Sequence, residues 1–175
     1  MFKNDLIIAL LAVVLFSCNS NPDSTKIDSR QYKVETVNRQ RCSFDLPNNL
    51  YLGKIDSSFS EEGYFKIVSF KSGNIMQLFV FDSPIDPEEK FKSQEDALNS
   101  PEIFTAKTIE NIPRFGNYEG KGVIMKGTYS GGVVTGSIKI FSFAEENKGF
   151  LVIRQMIHDD DTKDFDLVES TFHLK

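Results

Sequence analysis

Residues 64–82 read YFKIVSFK-SGN-IMQLFVFD: two apolar runs joined by Ser72-Gly73-Asn74. Small and amide residues between β-branched and aromatic runs are the signature of a β-hairpin. In the second run Ile75, Phe79 and Phe81 fall on one side, and Met76, Leu78 and Val80 on the other. A strand that is apolar on both sides belongs inside a sheet covered on both faces, which sets the expectation for the whole domain.

The pattern extends in both directions from this hairpin. Upstream, Cys42 to Leu46 alternates and stops at Pro47-Asn48-Asn49, a strand ended by turn residues. Downstream, Asp86-Pro87-Glu88-Glu89 combines a cap, a proline at the first helical position and the glutamate of a capping box. It predicts a helix with Phe91 and Leu98 on one face, ending near Asn99-Ser100-Pro101. Residues 103–112 read as a strand or extended segment. After a connection at Gly116 to Gly122, three runs follow in meander order: Val123 to Tyr129, Val133 to Phe143 and Phe150 to Ile157. In the first of them Ile124, Lys126 and Thr128 share a face that is more open to water or a partner. Asp161 is placed to cap a last helix, with Asp164 at its third position and Phe165, Val168 and Phe172 along one stripe. The fold class is therefore α+β: one antiparallel sheet of about five to six strands, covered by helices.

The N-terminus carries an address. Lys3 precedes Leu6 to Phe16 (LIIALLAVVLF), an apolar run of signal-peptide length and too short to span a bilayer. Leu15-Phe16-Ser17-Cys18 follows and resembles the lipobox of bacterial lipoproteins, with Phe16 bulkier than the usual residue. The resemblance implies cleavage between Ser17 and Cys18, acylation of the Cys18 thiol with palmitate-type chains, and a membrane anchor. Two or more acyl chains anchor stably where one is marginal. Residues 1–17 then form the signal, 18–31 a polar flexible tether and 32–175 a single domain. Asn19 replaces the Asp that retains many lipoproteins in the inner membrane, which favours the outer one.

Composition narrows the partners. The chain has 175 residues, 40% hydrophobic and 26% charged, with a formal net charge of −5. That is the profile of a folded domain, and removing residues 1–17 takes away one Lys and one Asp without changing the balance. An acidic chain with scattered basic residues argues against nucleic acid, which rewards clustered Lys and Arg. By the same reasoning no polybasic patch for anionic lipid is expected. The 16 Phe, five Tyr and absent Trp sit mostly in alternating runs, and so read as core. Cys42, the one thiol left after Cys18, reads as a buried small hydrophobe; an odd Cys in an exported chain also admits a reactive or intermolecular thiol.

From Phe44 onward the order of elements resembles the PsbP-like superfamily, which includes the DcrB-type lipoproteins. Phe44-Asp45-Leu46-Pro47 resembles its opening strand, although Leu50 stands where an aromatic is common. Gly149 to Ile153, the acidic loop at Asp159 to Asp161, and Ser170-Thr171-Phe172 resemble its closing strand, loop and helix. The resemblance implies an α/β/α sandwich serving as a non-catalytic binding scaffold, with no site to carry over.

Little chemistry is written in the residues. Asp159, Asp160 and Asp161 beside His158 offer hard oxygen ligands for a cation, but without the alternate spacing and Gly of a calcium loop; a solvated helix start is the competing reading. With two His and one mature thiol, zinc is not expected. His173 reads as a surface or helix-end residue. No nucleophile elbow or phosphate loop occurs; the glycines at 127, 131, 132 and 136 read as turns and close approaches. Glu61-Glu62 near Asp56 lack the apolar surroundings that raise a carboxyl pKa. The expectation is a lipid-anchored envelope module without a cofactor, bound to the membrane by its lipid and to a protein partner. The alternative is a carrier whose cavity, for an apolar or lipid-like ligand, is lined by Phe79, Phe81, Phe141 and Phe143.

Overall fold

The computed structural model describes residues 32–54, 63–81, 104–129, 135–158 and 161–175, together with Lys92 and Asp96. Lys33–Lys175 form a compact unit. Its strands are β1 (Val34–Asn38), β2 (Cys42–Pro47), β3 (Leu50–Leu52), β4 (Tyr64–Ser69), β5 (Ile75–Phe81), β6 (Phe104–Phe115), β7 (Tyr118–Tyr129), β8 (Thr135–Glu145), β9 (Lys148–Met156) and β10 (His173–Leu174), with the helix α1 (Thr162–Thr171) between the last two. A seven-stranded sheet runs β3-β4-β5-β9-β8-β7-β6, and a three-stranded sheet runs β1-β2-β10. All the pairings are antiparallel.

The hairpin from residue 64 forms as its residues demand. Phe65 stands opposite Leu78 and Ile67 opposite Met76, placing all four on the same face of the sheet. Gly73 takes a φ of 70° in the turn, a left-handed conformation that side chains resist. Cross-strand pairing then carries the face along: Leu78 meets Val152, and Val152 meets Phe141.

This inner face packs against α1 and the three-stranded sheet. Its core joins Phe65, Ile67, Met76, Leu78 and Val80 to Phe44 and Cys42 of β2 and to Phe165 and Val168 of α1. Phe150 is the hub of an aromatic cluster, with ring centroids 4.8 Å from Phe172, 5.1 Å from Tyr118 and 5.5 Å from Phe143. Edge-to-face and tilted rings at these separations add to simple burial. Phe141 lies across Gly122, where a Cβ would stand 2.8 Å from its ring and 2.7 Å from Ile112. Gly122 is thus the close approach that lets β7 accept the ring.

The other face of the sheet is buried as well, through Tyr64, Phe79, Met125, Ile138, Ile140, Leu151 and Ile153. The burial of β5 on both sides agrees with the sequence pattern.

Several expectations need correction. The sheet has seven strands rather than five to six, and a second sheet of three strands stands beside it. Of the additional strands, β3 has three residues and β10 two, too few to show alternation, and in the five-residue β1 only Val37 is buried. Tyr118 to Gly122, expected to be a connection, already belongs to β7. Glycines disguised it, yet they serve the packing of Phe141. The turn itself is Gly116-Asn117, with Gly116 at a φ of 54°. His173 lies in β10, opposite Ser43, and not in a helical turn. The helix ends at Thr171 because Phe172 is extended, with φ −62° and ψ 129°. The helix expected from Asp86 lies outside the described residues apart from Lys92 and Asp96, which are both helical. Among the described residues, no helix is long and apolar enough to cross a membrane.

Candidate functional site

Three places on the domain gather polar or exposed side chains, and each is built by pairing residues far apart in the chain.

The first surrounds Asn74. This fully buried amide closes the hairpin turn and reaches the loop before α1. Its Oδ1 accepts from the backbone N–H of Ile157 at 2.6 Å and of His158 at 3.2 Å, while its Nδ2 donates to the His158 carbonyl at 2.7 Å. Asp161 is drawn into the same network: the Ser72 hydroxyl donates to its Oδ2, and Asn74 Nδ2 lies 3.5 Å from that oxygen. Asp161 is buried, and its side chain makes no hydrogen bond to the helix it precedes. Both sequence readings of Asp161 are therefore corrected. It is not the side-chain cap of α1, and it is not a solvated carboxylate, because Ser72 and Asn74 hold it inward. Asp159 and Asp160, its companions in the weak cation site, lie outside the described residues. Asp164 is buried too, and accepts from Asn49 Nδ2 at 3.1 Å. Among the described residues, no group of three or more His, Cys, Asp or Glu side chains could hold a metal ion.

The second is an ionic cluster under α1. Lys139 of β8 and Arg154 of β9 form a cross-strand pair on the inner face. Glu169 of α1 receives Lys139 Nζ at 2.5 and 2.7 Å and stands 3.6 Å from Arg154 Nη1, which also donates to Asp166 at 2.6 Å. Lys139 lies 5.5 Å from the Phe115 ring centroid, and Arg154 5.5 Å from that of Phe165. The cluster fastens α1 to the sheet. Its two cations are already matched by helix carboxylates, which suits a structural role.

The third is an open groove of about 430 Å³ between the end strands β1 and β3. Thr36, Asn38, Arg39 and Glu35 form one wall, Val37, Leu46 and Leu50 contribute apolar surface, and Tyr51, Leu52 and Phe70 form the opposite lip. Asn48 N donates to the Lys33 carbonyl at 2.8 Å and Arg39 N to the Cys42 carbonyl at 2.9 Å, so odd-numbered β1 residues bond to β2. Antiparallel alternation then turns the backbone N–H and C=O groups of Val34, Thr36 and Asn38 away from it. The bonds Gly53 N to Lys66 O, 2.7 Å, and Phe70 N to Asn49 O, 3.1 Å, do the same for Leu50 and Leu52 on β3. Two strand edges thus border one trough of mixed polar and apolar lining. Such edges are templates for an added strand.

The groove is not legible in the sequence, because its residues carry no motif and the three-residue β3 is too short to show alternation. The one hint is that Tyr51 and Leu52 follow the turn residues Pro47-Asn48-Asn49 closely.

The remaining candidates are placed as follows. Cys42 is fully buried, and burial pushes its thiol up to about 12. Phe79 and Phe141 are on opposite faces of the sheet: Phe79 pairs with Leu151 and Phe141 with Val152, the next residue along β9. Phe81 shares its side with Phe79 and Phe143 with Phe141, so the four cannot line one cavity. Gly127 and Gly136 face each other across β7 and β8. Ser17, Cys18, Asp56, Glu61, Glu62, Gly131 and Gly132 lie outside the described residues.

No protein-family model and no curated protein sequence matches the chain. Solved structures do. A protein of Bacteroides thetaiotaomicron is similar at a TM-score of 0.50 and 11% identity over 77% of this chain, which spans 45% of that one, less than half its length. LpqN of Mycobacterium tuberculosis, involved in cell envelope biogenesis, matches at 0.50 and 13% over 89% of this chain and 99% of its own. The cyanobacterial PsbP of Synechocystis sp. PCC 6803 gives 0.47 and 12% over 88% and 98%. At such identities the likeness is one of fold alone. The fold is shared with LpqN and with the Bacteroides protein.

Proposed function

We propose that the protein is a lipid-anchored, non-catalytic module of the bacterial cell envelope that holds a protein partner or supports an assembly. The observation that carries this reading is the groove between β1 and β3, where the outward-facing backbone groups of β1 lie beside Val37, Leu46 and Leu50. An extended segment of a partner can add to the β1 edge by main-chain hydrogen bonds, with its alternate side chains seated among Val37, Leu46 and Leu50. The involvement of LpqN in envelope biogenesis supports the location, and Asn19 favours the outer membrane. The anchor is Cys18, exposed as the new N-terminus by cleavage after Ser17. The second sheet face, already buried among the described residues, and the helical Lys92 and Asp96 support a helix-covered α/β/α sandwich.

The test is photo-cross-linking in intact envelopes, followed by mass spectrometry. A photoreactive amino acid at Thr36, on the groove wall, is expected to capture one protein reproducibly. The same probe at Thr108, exposed on β6 at the other end of the sheet, is expected not to capture it. Equal capture from both positions would count against the groove.

A further inference from the structure

We propose that the β3 edge, at the outer lip of the groove, is a seat on the surface of an anionic lipid bilayer. In this seat Tyr51, Leu52 and Phe70 enter the headgroup region, and Lys33, Lys54, Lys66 and Lys71 face lipid phosphates. This goes beyond protein binding and rests on the lipid anchor at Cys18.

The distribution of exposed apolar side chains comes first. Among the described residues the large exposed ones are Tyr32, Val34, Tyr51, Leu52, Phe70 and Ile109. All but Ile109 belong to the entry into β1, to β3, or to the turn after β4. Phe70 is the most exposed of them at 60%, and its ring lies 4.4 Å from that of Tyr51. An aromatic pair held outward on an edge has the amphipathic character found at membrane interfaces.

The point where the chain enters the fold comes second. Lys33 accepts from Asn48 N at 2.8 Å, and the next residue, Asn49, accepts from Phe70 N at 3.1 Å. The chain leading back to Cys18 therefore departs beside Phe70. A lipid anchor upstream of Lys33 is joined to the domain at this edge rather than at the β6 edge.

Charge is the third observation. Lys71 follows Phe70, Lys33 is bonded to Asn48, the neighbour of Phe70's partner Asn49, Lys54 follows β3, and Lys66 is bonded to Gly53 across the strands. Lys33, Lys54 and Lys71 are exposed, and Lys66 is half-buried. Glu35 and Arg39 in the groove offset each other. Residues scattered over some forty positions are thus collected by strand pairing into a basic rim on a chain of net charge −5. A basic rim around exposed aromatics is complementary to anionic headgroups.

The test exploits the absence of Trp from the chain. Phe70→Trp and, as a control at the opposite edge, Ile109→Trp each introduce a single reporter. In the lipidated protein on vesicles of phosphatidylcholine and phosphatidylglycerol carrying brominated acyl chains, the reporter at 70 should be quenched severalfold more than that at 109. The mature chain made without acyl groups should bind these vesicles in a salt-sensitive way. Lys33→Glu with Lys71→Glu should weaken that binding about tenfold or more. Equal quenching at the two positions in vesicle-bound lipidated protein overturns the seat and leaves the anchor standing. Preferential cross-linking of position 70 to a protein in native envelopes also overturns it, in favour of a protein dock. If the Cys18 terminus proves to carry no lipid, the anchor fails, yet selective quenching at 70 in the unacylated chain would still uphold the seat.

Discussion

Lys139 and Arg154 stand directly opposite each other on β8 and β9, and Glu169 of α1 is positioned between their charges. Two adjacent cations on the inner face of a sheet would repel each other without that carboxylate. The carboxylate thus ties α1 to both strands, beside the Arg154–Asp166 pair and the buried Phe165 and Val168.

Glu169→Gln should destabilise the domain by about 3 kcal/mol, since it leaves the largely buried Lys139 without its counter-charge, while Arg154 keeps Asp166. Urea unfolding followed by circular dichroism measures it. A change below roughly 0.5 kcal/mol, the range of an ordinary surface substitution, would show that α1 is held by Phe165 and Val168 alone.

Asn74→Ala removes the acceptor for two backbone N–H groups and the donor to the His158 carbonyl. Unpaired buried groups cost about 1–3 kcal/mol each, so a loss of roughly 3 kcal/mol is expected, with faster amide exchange at Ile157 and His158. Unchanged exchange at these two amides would contradict the clamp.

How much of this was legible depends on whether the signal was local. The hairpin from residue 64, the meander that ends at β9 and the stripe Phe165, Val168 and Phe172 were readable because each is a run whose period is written in adjacent residues. The Asn74 clamp was not. It joins residues more than eighty positions apart, and Asn beside Gly reads simply as a turn. Asp161 misled for a related reason: an acid before a helix is usually its cap, yet here Ser72 and Asn74 compete for it and win. The groove was invisible because β3 is short and strand edges are defined only once the order of strands is known.

Cys42 makes a pH prediction. Burial raises its thiol from 9.0 to about 12, while the thiol of the unfolded chain ionises near its ordinary value. Between those values the unfolded state has lost a proton that the folded state keeps, so stability should be intact below about pH 9 and fall as pH rises towards 12. The slope contributed by this residue approaches about 1.4 kcal/mol per pH unit. Cys42→Ala should remove that increment from the alkaline unfolding profile. The native thiol should also resist alkylation at pH 8 until the protein unfolds. Rapid labelling of the folded protein would contradict its burial.

The reading of the chain as an anchored envelope module meets its most direct test at the N-terminus. Intact-mass and peptide mass spectrometry of protein extracted from membranes should find Cys18 as the first residue, carrying the added mass of diacylglyceryl and fatty acyl groups. A mature chain that begins elsewhere, or a Cys18 terminus without acyl mass, would contradict the account.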